Sequence, residues 1–384
     1  MPTPSSAHLP ALDGVRAIAI LMVIACHVVI VCHSANELPG MTKAQNLFAS
    51  LAGMGWMGVD LFFVLSGFLI TGILLDVRTP RNALRNFYAR RVLRIVPLYV
   101  VFLLFIMLAA PALGLSSIEE TAKLRHTQLW YWTYTMNILV AHANWGATTL
   151  LVSHLWSLAV EEQFYLLWPV AVLLLSPLTV RRTAAGCIIG AEVCRLMVIL
   201  GGAGGQVNYV LLPSRMDSLA AGAFLACAFR DPALWTRVLR ARQGLTLAAL
   251  LLMLATVLFH DTLDSQSSAS QLLLYPAVVA LSAVVVSTAA NGARWLSGRA
   301  MGFIGKISYG MYVWHILALR LVLTKIKIPE LATAETWWTF YAVTMIGTIL
   351  CAMLIAVVSW HVIEQPFLRL KRFVPSAANA GSTR

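Results

Sequence analysis

The stretch VRAIAILMVIACHVVIVCHS, residues 15–34, decides the class of fold. No lysine, arginine or acid interrupts it between Arg16 and Ser34. About 20 apolar residues in helical conformation cross the hydrocarbon core of a bilayer. The stretch therefore reads as a membrane span. The residues before it, MPTPSSAHLPALDG, are polar and carry no basic leader, and no small-residue cleavage site follows. The reading is thus a retained first span, not a cleaved signal peptide.

The rest of the chain repeats this pattern. Of 384 residues, 59% are hydrophobic and 11% charged, where a soluble domain carries about 25% charged. Further apolar runs predict spans at about 50–76, 92–111, 154–176, 184–201, 214–229, 243–260, 271–290, 302–323 and 339–362. With 15–34 they make ten. Gly53, Gly55 and Gly58 predict a break near the start of the second. The segment 112–150 holds Trp130, Tyr131, Trp132 and Tyr134. Aromatics of this kind favour the membrane interface, so the segment reads as amphipathic and lying on the outer face, with a re-entrant piece as the alternative.

The net charge of +12 would suit a nucleic-acid partner, but the basic residues fall in short clusters between apolar runs, so nucleic acid is excluded. The clusters instead set orientation, because Lys and Arg are retained on the cytoplasmic side. Every even-numbered span exits into one: Arg78, Arg81, Arg85, Arg90, Arg91 and Arg94; Arg181 and Arg182; Arg230, Arg237, Arg240 and Arg242; Arg294, Arg299 and Lys306; Arg369, Lys371, Arg372 and Arg384. The expected architecture is an all-α integral membrane protein of about ten transmembrane helices, with both termini cytoplasmic. One membrane domain spans 1–372, and a short polar tail spans 373–384. The six cysteines show no CxxC spacing and read as small apolar packing residues. No nucleotide loop, zinc spacing or GxSxG elbow is present.

Ionisable side chains inside spans are costly and point to function. Arg16 and His27 are eleven residues apart, about 17 Å and about 20° around the helix, so they share a face. That face carries an anion binder at one end and a proton acceptor at the other. The plainer alternative is an interfacial arginine and a histidine bonded to a neighbouring helix. In HLWSLAVEEQFYLLWP, residues 154–169, spacing puts His154, Ser157 and Glu161 on one face. Glu161 can orient or charge-balance an imidazole there, whereas His154 reads better as an interface residue. Arg90, Arg91 and Arg94 of FYARRVLRIVPLY abut an apolar run, where forked guanidiniums can grip phosphate; anchoring alone is the alternative. Asp60 and Ser66 in the second span, Arg215 with Asp217 as a candidate ion pair, Tyr309, and the mid-span His315 complete the polar set.

Taken in order, LDGVRAIAILMVIACH, GVDLFFVLSGFLIT, FYARRVLRIVPLY, HLWSLAVEEQFYLLWP, RMDSLAAGAFLA, ISYGMYVWH and EQPF resemble the membrane acyltransferase-3 family over nearly the whole chain. The family's patterns of an arginine, ten residues and a histidine, of RxxR, and of a serine, three residues and a glutamate fall on Arg16 and His27, on Arg91 and Arg94, and on Ser157 and Glu161. The resemblance implies a bacterial inner-membrane enzyme that O-acylates cell-surface carbohydrate from cytoplasmic acyl-CoA, in a form without the C-terminal esterase-like domain of some relatives. Expected partners are acyl-CoA as co-substrate, a carbohydrate or lipid-linked glycan acceptor, and membrane lipids; no bound cofactor or metal is expected. His27 is the expected base or acyl carrier, supported by Glu161 and Ser157, with Arg16, Arg90, Arg91 and Arg94 on the CoA phosphates. A proton-coupled transporter using His27, Glu161 and His315, and an acyl relay for a separate transferase, are the competing readings.

Overall fold

The computed structural model describes residues 9–34, 41–77, 82–260, 264–325 and 335–374. Ten helices in it are long and apolar enough to cross a membrane: α1 (Pro10–Cys32), α2 (Lys43–Asp76), α3 (Ala83–Ala112), α4 (Leu150–Leu174), α5 (Pro177–Leu200), α6 (Gly205–Phe229), α7 (Pro232–Leu258), α8 (Ser270–Ala290), α9 (Arg299–Lys325) and α10 (Trp337–Phe373). Among the described residues every regular element is helical. In a bilayer this satisfies the backbone within each span. The chain is a multi-pass membrane protein. Arg78, Arg81, Arg384 and the tail from 375 lie outside the described residues.

The ten expected spans are all present, and five start seven or more residues earlier than hydropathy sets them, among them the second at Lys43, the third at Ala83 and the sixth at Gly205. The fifth and seventh begin at Pro177 and Pro232, several residues before 184 and 243. Hydropathy marks only the part of a helix inside hydrocarbon, and both helices wind on through the basic interfacial residues Arg181, Arg182, Arg237, Arg240 and Arg242. The second span is interrupted as expected, by a 3-10 turn at Met54–Trp56.

α2 lies at the centre, packed on α6, α1, α8 and α4, while α9 packs on α10 and α1. The α2–α6 contact is a backbone contact. A methyl on Gly67 would lie 1.9 Å from the Leu219 carbonyl oxygen, and one on Gly222 1.9 Å from that of Val64. Only glycine lets two spans approach so closely. α5 and α7 sit at the rim and turn Ile189, Met197, Leu250 and Leu258 outward, as lipid-facing helices do.

The segment between α3 and α4 does more than lie on a surface. Its short helices Ile118–His126, Gln128–Trp132 and Met136–Ala143 bury Tyr131, Met136 and Val140 completely. Asn137 and Gln163 exchange side-chain amide bonds of 3.2 and 2.9 Å. Gln163 stands thirteen residues into α4, about 20 Å along its axis. The segment therefore descends beside α4, and the re-entrant alternative describes it better than an interfacial helix does.

Candidate functional site: two cavities and one wall

Two cavities enter the bundle from opposite ends. The first holds about 210 Å³, at the end where α1 and α3 begin. Arg16, Arg91 and Arg94 line it together with Ser66, Ser157, Glu161, Glu162, Tyr165, Ser308, Tyr309 and Tyr312. Guanidiniums outnumber carboxylates there, so the lining favours an anion. α3 presents Arg91 and Arg94 to the cavity, three residues apart on one face. The Arg91 guanidinium stacks 4.7 Å from the centre of the Tyr165 ring, which fixes its fork. The Tyr165 hydroxyl donates to Glu161 and accepts from Ser66. Arg16 is held by Asp13, one turn earlier. Tyr309 donates to the Ile95 carbonyl at 2.8 Å, pinning α9 to α3.

The second cavity is larger, about 730 Å³, and opens at the other end. His27 and His154 reach it from α1 and α4, and Trp56, Trp145, Trp156 and Tyr209 give it aromatic walls. Thr148, Thr149, Ser153, Asp264, Ser265 and Gln266 add hydrogen-bonding groups. Rings beside hydroxyls, carboxylate and amide suit a sugar, whose axial C–H faces are apolar and whose rim is polar.

Val59 and Tyr312 line both cavities. The Tyr312 hydroxyl bonds to that of Ser157 and reaches the His154 carbonyl at 3.0 Å. Val59 and Tyr312 thus stand between the arginine cavity and the histidine cavity.

The expected site residues thus divide. Arg16, Arg91, Arg94, Ser66, Ser157, Glu161 and Tyr309 meet in the first cavity, and His27 lies in the second. Arg90 joins neither; its guanidinium turns to the carbonyls of Val374, at 2.9 Å, and Lys371. It braces the end of α10, because adjacent helical positions point about 100° apart.

Glu161 does not touch His27: its partner is Tyr165, while His27 bonds Val23 and His315. Helical spacing groups Glu161 with Ser157 correctly but is silent on which helix that face meets.

Arg215 and Asp217 do not pair. Residues two apart on a helix point to different sides. Arg215 binds Asp60 at 2.6 Å and Asp217 binds Arg195 at 2.8 Å. Ser218 also donates to Asp60 at 2.6 Å. These buried pairs tie α2 and α5 to α6. His154 is no interface residue: it is fully enclosed, donates to the Val313 carbonyl at 3.2 Å and lies 4.9 Å, ring to ring, from His315. Phe102 of α3 and Val313, Tyr312 and His315 of α9 surround it.

Tyr165, Trp56, Trp145, Trp156 and Tyr209 were not singled out from sequence. Tyr165 carried a signal, since it stands one turn after Glu161. The others are gathered from four separate segments, and aromatic residues are common throughout this chain.

The chain matches the family model described as an acyltransferase domain over residues 9–357. It is 28% identical over 382 residues to the peptidoglycan O-acetyltransferase OatA of Listeria monocytogenes, covering 94% of this chain and 56% of that protein. It is 27% identical over 378 residues to YrhL of Bacillus subtilis, named for the same activity as yet unproven, covering 94% and 55%. The chain spans about half the length of these curated relatives. No solved structure matches it. With nearly all of its span-forming sequence inside one family model, the chain belongs to the acyltransferase-3 family.

Proposed function

We propose that this protein transfers an acyl group, most simply acetyl, from cytoplasmic acyl-CoA to a hydroxyl of a cell-surface carbohydrate across the bacterial inner membrane. One observation supports the reading: three arginines and the candidate base line two cavities from opposite ends that share Val59 and Tyr312. The names of OatA and YrhL support acetyl as the group and cell-wall glycan as the acceptor class. The Lys and Arg bias supports an arginine cavity that faces the cytoplasm, where acyl-CoA is made. Its diphosphate would sit on Arg91, Arg94 and Arg16, with the thioester advanced toward Tyr312. Tyr165 and Glu161 order the Arg91 side of that site.

The acceptor enters the histidine cavity. When Tyr312 yields to the seated acceptor, the acceptor's hydroxyl oxygen attacks the thioester carbon while His27 takes the proton. The C–S bond breaks with its electron pair on sulfur, and the proton passes from His27 to the CoA thiolate. No metal or prosthetic group is needed, since the thioester is already activated. A proton-coupled transporter would also use two cavities and buried histidines, but has no need of three arginines in one of them. An acyl relay would turn over acyl-CoA without modifying a glycan itself.

Two experiments test the reading. Mass spectrometry of surface glycans from deletion and complemented strains should show acetyl groups that depend on the gene; identical glycans sink the transferase. Cysteine labelling at position 265 should proceed from outside the cell, and labelling from the cytoplasm alone would reverse the orientation.

A further inference from the structure

His27 and His315 form a pair whose proton placement follows from their carbonyl partners. A carbonyl oxygen only accepts. His27 Nδ1 lies 2.9 Å from the Val23 carbonyl, so that nitrogen carries the hydrogen. His315 Nδ1 lies 2.6 Å from the Tyr312 carbonyl, so it too carries its hydrogen. The Nε2 of a neutral His315 is then a bare lone pair. It stands 3.3 Å from His27 Nδ1, with the ring centres 4.9 Å apart at 66°. The His27 hydrogen is shared between Val23 and His315, and the remaining ring nitrogen, Nε2, is left without a hydrogen and, among the described residues, without a partner.

The other ionisable groups nearby do not take this place. From α9 comes Tyr312, whose hydroxyl is committed to Ser157 and the His154 carbonyl. From α4 comes His154, which lines the same cavity but makes its ring contact with His315 and its hydrogen bond with the Val313 carbonyl. Cys26, Tyr209 and Asp264 line the same cavity as His27. Cys26 bonds the Gly53 carbonyl. His315 is wholly buried and lines neither cavity, so it is not placed to touch either substrate.

We propose that His315 is a positioning residue for His27: its Nε2 lone pair, together with the Val23 carbonyl, holds His27 in the Nδ1–H form, which presents a basic Nε2 to the acceptor cavity. It occupies the place that a carboxylate takes in hydrolase triads. When His27 Nε2 takes the acceptor's proton, the positive ring keeps its Nδ1 hydrogen pointed at His315, and His315 itself gains no proton. This rests on the transferase reading above for its catalytic meaning, though the pairing is measurable without any acceptor.

The test uses the full chain in nanodiscs. Nitrogen-15 NMR of histidine-labelled protein, with His27 assigned by difference from His27→Gln, should report His27 as the Nδ1–H tautomer; an Nε2–H tautomer overturns the proposal. Carbethoxylation of His27 by diethyl pyrocarbonate, followed by mass spectrometry, reads the nucleophilicity of Nε2. His315→Leu should slow it, and slow acetyl transfer, by about ten- to a hundredfold, the range seen when the outer partner of a metal-bound histidine is removed. His315→Gln, which puts an amide oxygen near the lost lone pair, should recover most of both rates, while acetyl-CoA binding stays unchanged in both variants. Unchanged carbethoxylation in a His315→Leu protein that still binds acetyl-CoA overturns the proposal. If the tautomer and reactivities behave as expected but no glycan is acetylated, the pairing is supported and the transferase reading is the part that fails.

Discussion

The hydroxyls of Tyr312 and Ser157 meet in a hydrogen bond at the one wall shared by the arginine and histidine cavities. Tyr312→Phe removes the bond but keeps the ring, and should leave acetyl-CoA in place while slowing transfer. Tyr312→Ala removes the wall itself. Water from the histidine cavity then reaches the thioester, so acetyl-CoA hydrolysis without acceptor should rise as transfer falls. The ratio of free CoA to acetylated product measures this. An unchanged ratio in the alanine variant would mean that the wall does not stand between the substrates.

Arg91→Ala and Arg94→Ala should each weaken acetyl-CoA binding. A lost charge-assisted contact costs about 1.5–3 kcal/mol, or roughly ten- to 150-fold in Kd. Lysine should rescue partly, since it lacks the planar fork. Arg90→Ala should bind normally, because Arg90 holds the end of α10. Calorimetry on the three variants decides it, and unchanged binding in Arg91→Ala and Arg94→Ala would reduce them to topology anchors.

His27→Ala should abolish transfer, a loss of at least about a hundredfold. Acetyl-CoA binding should survive, since His27 lies beyond the wall from the arginines. His27→Gln fills similar space without a base. Near-normal turnover in that variant, measured as acceptor acetylation, would end the assignment.

Trp145→Ala should act on the acceptor alone. An aromatic stacking contact is worth about 0.5–1.5 kcal/mol, which is roughly two- to twelvefold in acceptor KM. The KM for acetyl-CoA should not move. A rise in the donor KM instead would mean that the second cavity is not the acceptor's.

Gly222→Ala should damage the fold before the chemistry. Its methyl would enter the Val64 carbonyl, and overpacking of this kind costs about 1–3 kcal/mol or more. Thermal unfolding in detergent should begin at lower temperature. Gly186→Ala, on α5 with open space around it, is the control and should unfold normally.

Span number and the face shared by Arg16 and His27 were legible because both depend on short-range periodicity. The wall that puts those two residues in different cavities was not, since it is built by Val59 and Tyr312 from α2 and α9. Asp60 and Arg215 stand 155 positions apart, so no local pattern joins them, whereas the nearby Asp217 suggested a pairing that helical geometry forbids. The enclosure of His154 was not legible either, because its neighbours come from α3 and α9, far off in sequence. Arg90 looked equal to Arg91 and Arg94 in a basic run, and only its direction separates it.

The wall at Tyr312 also bears on the cell's energy supply. Two cavities reaching inward from opposite ends are most of a pore, and in the inner membrane proposed for this chain a bilayer that stores a proton gradient cannot tolerate an open one. About 2.3 kcal/mol per charge is dissipated for each 100 mV of potential crossed. The Tyr312 ring and Val59, common to both cavities, would then be part of an insulator. Any loosening that let bulkier acyl groups through would be limited by current leakage before it was limited by catalysis.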